Sequence, residues 1–291
     1  MVLPGFEFDE AATVAQGCLI LSEFGARAKV IAGGTDVAVA MKKKLLAPER
    51  LVSIARIPEL KRIDSSPGML RLGPCVTIGK IGASGEIDKR WGAICAGARA
   101  LGTPSVRNRA TVGGNLGSAR PAADMAPSLM AYGARVILTS KAGERVVSLE
   151  NFFHGPGLSE MASDEILTQI EVDAPPPFAG ASYGSLSVRS RDCNIVNVAS
   201  FLMLEGPGGQ IKGARIVLGC VGPTPRRALG AERALIGEKG GEALFTRAAQ
   251  AAMVDCAPID DFRGSAGYRK EMVGVLAQRS LCAAFQEALK S

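Results

Sequence analysis

Gly102-Thr103-Pro104-Ser105-Val106-Arg107-Asn108-Arg109-Ala110-Thr111-Val112-Gly113-Gly114-Asn115-Leu116-Gly117-Ser118-Ala119-Arg120-Pro121-Ala122-Ala123-Asp124 is the stretch on which the reading of the chain turns. A glycine pair between small polar residues is poor material for a core. It lets another molecule approach bare backbone and offers N–H groups to meet it. From Asp124 an apolar, helix-like run continues through Leu129, and a loop of free amides leading to a helix N-terminus is a common seat for a phosphate. Further back, the same device stands at Ile31-Ala32-Gly33-Gly34-Thr35-Asp36, after Val30 and ahead of Val37-Ala38-Val39-Ala40-Met41. Either pair alone reads more often as a plain turn. Two in matched contexts point to two walls of one cleft around a pyrophosphate.

Other segments fall in order around these two. They are Leu51-Val52-Ser53-Ile54, Ile57-Pro58-Glu59-Leu60, Pro121-Ala122-Ala123-Asp124, Phe152-Phe153 and Asp164-Glu165-Ile166-Leu167. With both glycine loops, they make the chain resemble, over nearly its whole length, the FAD-binding subunit of the molybdenum hydroxylases. That family includes the medium subunit of carbon monoxide dehydrogenase, the flavin domain of xanthine dehydrogenase and the beta subunit of 4-hydroxybenzoyl-CoA reductase. The resemblance implies an α+β chain. A two-subdomain FAD-binding domain of the vanillyl-alcohol-oxidase (PCMH) type would be followed by a small α+β domain with a three-stranded antiparallel sheet and helices.

The resemblance also assigns residues. Ala32, Gly33, Gly34, Thr35 and Asp36 in one loop, and Thr111, Gly113, Gly114 and Asn115 in the other, would contact the pyrophosphate. Thr35, Thr111 and Asn115 can add side-chain hydrogen bonds. A carboxylate beside a pyrophosphate is repelled, so Asp36 is expected to cap the following helix while its N–H faces the ligand. Asp124 matches an acidic residue near the ribityl and ribose hydroxyls, and it equally suits a helix N-cap. Ile166 and Leu167 match a position packed near the isoalloxazine ring. Arg189, Arg191 and Asn194-Ile195-Val196-Asn197-Val198 match a segment that often reads Asp-Ile-Ala-Lys-Val in relatives. Asn197 thus stands where some relatives place a lysine near the flavin, and a charge that could tune the cofactor is missing.

Composition sets the outer limits. The 291 residues, 47% hydrophobic and 21% charged, suit a globular chain of one large or two ordinary domains. A net charge of +6, with one Trp and three Tyr, gives no basic run with interleaved aromatics, so nucleic-acid binding is not expected. Seven cysteines are scattered without a C-x-x-C pair, which argues against a local zinc or iron–sulfur site and for a reducing compartment. Cysteine is absent from Leu101 through Asp192, so the [4Fe–4S] insertion of the 4-hydroxybenzoyl-CoA reductase subunit is not expected. The start, from Met1, shows no leader-like pattern, and no apolar run is long enough to span a membrane. A cytoplasmic protein is expected.

Periodicity supplies the organisation. Helices are predicted over 10–21, 37–46, 81–100, 123–132, 228–236, 242–254 and 268–289. Strands are predicted over 28–31, 51–54, 70–72, 76–78, 136–138, 146–149, 166–172, 185–189, 196–204 and 211–220. Pro175-Pro176-Pro177 is a stiff connector. It divides the chain into an FAD-binding domain at 1–176, with subdomains of about 1–57 and 58–176, and a C-terminal domain at 177–291. His154, the one histidine, lies outside both loops, so the flavin is expected to be non-covalent.

The function implied is electron transfer. Substrate is oxidised at molybdopterin on a large subunit, and electrons pass through [2Fe–2S] clusters of a small subunit to FAD here and on to an external acceptor. The assembly would be a dimer of heterotrimers, and no side chain of this chain need be catalytic. A free-standing flavin oxidase and an FAD-free assembly subunit remain as alternatives.

Overall fold

The computed structural model describes residues 3–189 and 192–291, so the sequence reading at Met1 and Arg191 lies outside the described residues. Near the N-terminus, β1 (Glu7–Glu10), α1 (Val14–Phe24), β2 (Ala28–Ile31), α2 (Val37–Lys42) and β3 (Arg50–Ser53) build a parallel sheet in the order β1-β3-β2. The hydroxyl of Thr13 caps α1 by accepting from the N–H of Gln16 at 3.2 Å. The inner face of α1, Gly17, Cys18 and Leu21, packs with Val52 and Ile54 in a small core of its own.

A second sheet follows. β4 (Ile63–Ser66) and β5 (Met69–Leu72) form a hairpin. Then come α3 (Ile78–Ala83), α4 (Gly85–Ala100), α5 (Pro104–Arg107), α6 (Val112–Gly117) and α7 (Met125–Ala131). β6 (Arg135–Ser140), β7 (Gly143–Ser148), a small hairpin of β8 (Phe153–Gly155) and β9 (Leu158–Ser159), and β10 (Ile166–Asp173) complete this part. The sheet runs β4-β5-β10-β6-β7, antiparallel throughout. Its core is organised around Trp91, which is 1% exposed and donates its indole N–H to the carbonyl of Asp173 at 3.1 Å.

Beyond the prolines, β11 (Ala179–Ser187), β12 (Asn194–Leu204), β13 (Ile211–Gly219) and β14 (Arg226–Arg227) form an antiparallel sheet in chain order. α8 (Leu229–Leu235), α9 (Glu242–Asp255) and α10 (Ala266–Ala288) cover one face. Strand alternation sends Val196, Val198 and Leu202 of β12 toward these helices, and Ala199 and Phe201 into the core shared with α4 and α7. β12 is therefore buried on both faces, which is why it reads as a nearly unbroken apolar run.

The structure departs from the periodicity in several places. Residues 76–78 are not a strand: Thr77 makes a single bridge to Thr111 and then caps α3. The expected helix over 81–100 is two helices, because Ser84 accepts from the N–H of Ile87 and starts α4 afresh. β11 begins well before 185. Its Gly180 lies so close to α10 that a Cβ would meet the backbone carbonyl of Ala284, and a strand made of small residues carries little β-signal. The three expected strands of the last sheet are joined by a fourth, two-residue strand.

Candidate functional site

A cleft of about 440 Å³ opens between the parallel sheet and the second sheet. Its first wall is the turn from β2 into α2. The backbone N–H groups of Gly33, Gly34, Thr35 and Asp36 have no acceptor among the described residues. Gly34 sits at φ +76, in the left-handed region that favours glycine. Gly33 is glycine for another reason. A Cβ there would run into the backbone carbonyl of Arg109, so the two glycine segments touch at the base of the cleft. Four successive unpaired amides leading into a helix are a concavity suited to an anion.

The second wall differs from the expected loop. Gly113 and Gly114 lie in the first turn of α6, whose N-cap is Thr111. Their amides are already engaged. Gly113 donates to the carbonyl of Pro74 at 2.9 Å, Gly114 to the hydroxyl of Thr111 at 3.1 Å, and Asn115 to the carbonyl of Thr111 at 2.9 Å. Gly113 is required because Pro74 presses on it. At Gly114 an added Cβ would meet only the Thr111 hydroxyl, at 3.0 Å. Gly114 thus offers open, side-chain-free surface to the cleft rather than a free N–H.

The third wall is the segment 157–167. Arg145 of β7 holds it in place. Its Nε and Nη2 reach the carboxylate of Glu165 at 2.6 and 2.9 Å, and Nη2 also donates to the carbonyl of Glu160 at 2.7 Å. Glu165 lines the cleft and in turn accepts from the N–H of Ala162 at 2.8 Å. The Arg145 guanidinium holds the Glu165 carboxyl below the usual carboxylate range. His154 stands outside the cleft, with Nε2 2.6 Å from the Glu160 carboxylate. Along β10, Leu167 faces the cleft, while Ile166 is fully buried beside Gly17 in the core under α1. The period of two separates this pair onto opposite faces.

Two acidic residues behave otherwise than expected. Asp36 makes no capping hydrogen bond to α2, since its backbone is already helical there rather than extended. Its carboxylate instead meets Nε of Arg120 at 2.7 Å, bridging the first wall and the segment that follows α6. Asp124 likewise occupies the N-cap position of α7 without capping it. The first N–H of α7, that of Met125, goes to Oδ1 of Asn115 at 3.2 Å. The Asp124 carboxylate turns to the C-terminal sheet and accepts from Nδ2 of Asn194 at 2.7 Å and of Asn197 at 3.3 Å. Burial pushes its pKa up to about 6, against the lowering effect of these amides.

Of the residues singled out in the sequence, Ala32, Gly33, Gly34, Thr35, Asp36, Thr111, Gly113, Gly114 and Leu167 line one cleft. Asp124 and Asn197 belong instead to a buried polar group with Asn194, half-buried Asn115 caps α7, and Ile166 belongs to the core. Sequence reasoning missed Arg120 and Arg145, whose roles depend on partners 84 and 20 positions away (120 − 36; 165 − 145). It also missed Asn194 as a holder of Asp124. No local pattern marks such pairs.

Comparisons with known proteins bear on the family and the fold. The family profile described as the FAD binding domain in molybdopterin dehydrogenase matches residues 4–175, and that of the CO dehydrogenase flavoprotein C-terminal domain matches residues 181–284. The carbon monoxide dehydrogenase medium chain of Hydrogenophaga pseudoflava is 30% identical over 98% of this chain and 99% of its own length. The nicotine 6-hydroxylase medium subunit of Paenarthrobacter nicotinovorans is 30% identical over 97% of this chain and 98% of its own. A solved structure of carbon monoxide dehydrogenase from Hydrogenophaga pseudoflava superposes with a TM-score of 0.94, covering 99% of both chains at 30% identity.

Proposed function

The chain belongs to the FAD-binding subunits of the molybdopterin dehydrogenases, and from that premise we propose that it is the electron-transfer subunit of such an oxidoreductase complex. The observation that carries the reading is the row of unpaired N–H groups at Gly33, Gly34, Thr35 and Asp36, in a cleft that the open surface of Gly114 also lines. A pyrophosphate needs convergent donors and close backbone approach, and this is what the two walls offer together. Thr111 lines the same cleft with its hydroxyl oxygen already accepting from Gly114, which leaves the hydroxyl hydrogen to donate to a phosphate oxygen. Leu167 supplies apolar surface and the Arg145–Glu165 pair keeps that side of the cleft in place.

Bound FAD supplies a redox centre able to take electrons singly and pass them on in pairs. The residues of this chain bind it, orient it and set its electrostatic surroundings. None is required as nucleophile or base. FAD is held non-covalently, by the domain at 1–176, and the domain at 177–291 anchors Asp124 at the start of α7 through Asn194 and Asn197. Molybdopterin resides on a large partner subunit and [2Fe–2S] clusters on a small one, in a dimer of heterotrimers. Seven free cysteines and the lack of any helix long and apolar enough to cross a membrane among the described residues support a cytoplasmic setting. The test is reduction of the flavin by the substrate that copurified partner subunits turn over. Bleaching should require those subunits. Equally fast bleaching in the isolated chain would point to a free-standing flavin oxidase instead.

A further inference from the structure

The contact between Asp36 and Arg120 has no role in the scheme above. Asp36 contributes one of the unpaired amides, so its carboxylate lies within a residue's length of the anion seat. Alone it would repel a pyrophosphate. Arg120 Nε reaches that carboxylate at 2.7 Å, the two side chains being 51% and 37% exposed. The Nη1 and Nη2 atoms of Arg120 have no partner among the described residues. Its guanidinium is therefore tied to a carboxylate that lines the cleft, with both terminal amino groups unused. A pair this exposed contributes little to folding, yet a planar fork with free donors suits phosphate oxygens well.

Resting on the reading that the cleft holds FAD, we propose that Arg120 is a further binding residue for the cofactor's pyrophosphate, with Asp36 as the counter-ion that holds its guanidinium at the rim. The pairing does two things. It cancels the negative charge of Asp36 beside the anion seat, and it keeps a cation within reach of the seat at small conformational cost. Among the described residues the one cation lining the cleft itself is Lys29 of β2.

The experiment is titration of the flavin-free full chain with FAD, at low and moderate ionic strength, for wild type, Arg120→Gln, Arg120→Lys and Asp36→Asn. Arg120→Gln should weaken FAD on the order of tenfold at low salt, about 1.4 kcal/mol. Its affinity should respond less to salt, because one phosphate-facing charge is gone. Arg120→Lys should recover part of the loss. Asp36→Asn should lose clearly less FAD affinity than Arg120→Gln, since it loosens the guanidinium but also removes a like charge beside the seat. Melting temperatures should be unchanged in all three. Unaltered FAD affinity and salt response in Arg120→Gln would overturn the inference, as would a loss in Asp36→Asn equal to that in Arg120→Gln, which would make the pair a structural brace. Wild-type chain that binds no FAD would instead overturn the functional reading on which the inference rests.

Discussion

The carboxylate of Asp124, at the start of α7, accepts a hydrogen bond from the side-chain amide of Asn194, in β12, at 2.7 Å and at a separation of 70 residues. Asn197 adds a second donor to the same oxygen at 3.3 Å. The bond joins the part of the chain that carries the glycine walls to the sheet that follows the prolines, and both partners are buried.

A pH dependence follows from that burial. The folded-state pKa of Asp124 is raised from 3.8 to about 6, so the folded protein holds this proton more tightly than the unfolded chain. The stability contribution is then fully present below pH 4 and is lost as pH rises through about 6. Asp124→Asn cannot titrate there. Between pH 4 and pH 7 the stability difference should shift toward the variant by about 2 kcal/mol, at 1.36 kcal/mol per unit, since the unfolded carboxyl is already partly ionised at pH 4. Urea midpoints of both proteins at the two pH values measure it. A difference that stays constant across this window would mean that Asp124 is ionised with its ordinary affinity.

Arg145 gives a prediction on the third wall. Glu165 has a side chain only 8% exposed, against 41% for Arg145. Arg145→Ala leaves the Glu165 carboxylate buried without its cation. The cost should be on the order of 2 kcal/mol, below that of a fully buried pair because water reaches Arg145. FAD affinity should fall as well, because Glu165 and its neighbours line the cleft. Arg145→Lys should restore part of both. Full FAD affinity in a destabilised Arg145→Ala would separate the clamp from the site.

Two glycines test the packing argument. Gly33→Ala would drive a methyl into the carbonyl of Arg109, and Gly180→Ala would drive one into the carbonyl of Ala284. Each should lower the melting temperature. Only Gly33→Ala should also lower FAD content, since Gly180 lies in β11, away from the cleft. Flavin loss of equal size in both would show that occupancy follows general stability.

Much of this site was legible because its parts are local. The turn at Gly33-Gly34 and the pair Gly113-Gly114 announce themselves by composition, and Leu167 falls on the cleft through simple alternation. Three things were not legible. The amides of Gly113 and Gly114 are taken by Pro74 and Thr111, and nothing in the stretch itself shows that Pro74 approaches from another segment. Asp36 and Asp124 both look like helix caps, but their own backbones are helical, so neither carboxylate can reach the first-turn amides in the usual way. Long-range partners, Arg120 and Asn194, decided their fates instead. In the fold, the strand starting at Ala179 was hidden by its glycine, alanine and serine content, which reflects the closeness of α10 rather than any strand preference.

The central claim is that the cleft between the glycine walls holds the pyrophosphate of FAD, and Gly114→Val tests it most directly. At this position the Thr111 hydroxyl is the one atom in the way of a Cβ among the described residues, so the fold should tolerate the change with a small loss of melting temperature. The valine would occupy the surface that the phosphate needs. FAD content of the purified full chain, measured with its melting temperature, should fall from one per chain to a small fraction, and titration should show affinity reduced on the order of a hundredfold, about 2.7 kcal/mol. A folded Gly114→Val protein that retains full FAD occupancy would contradict the account.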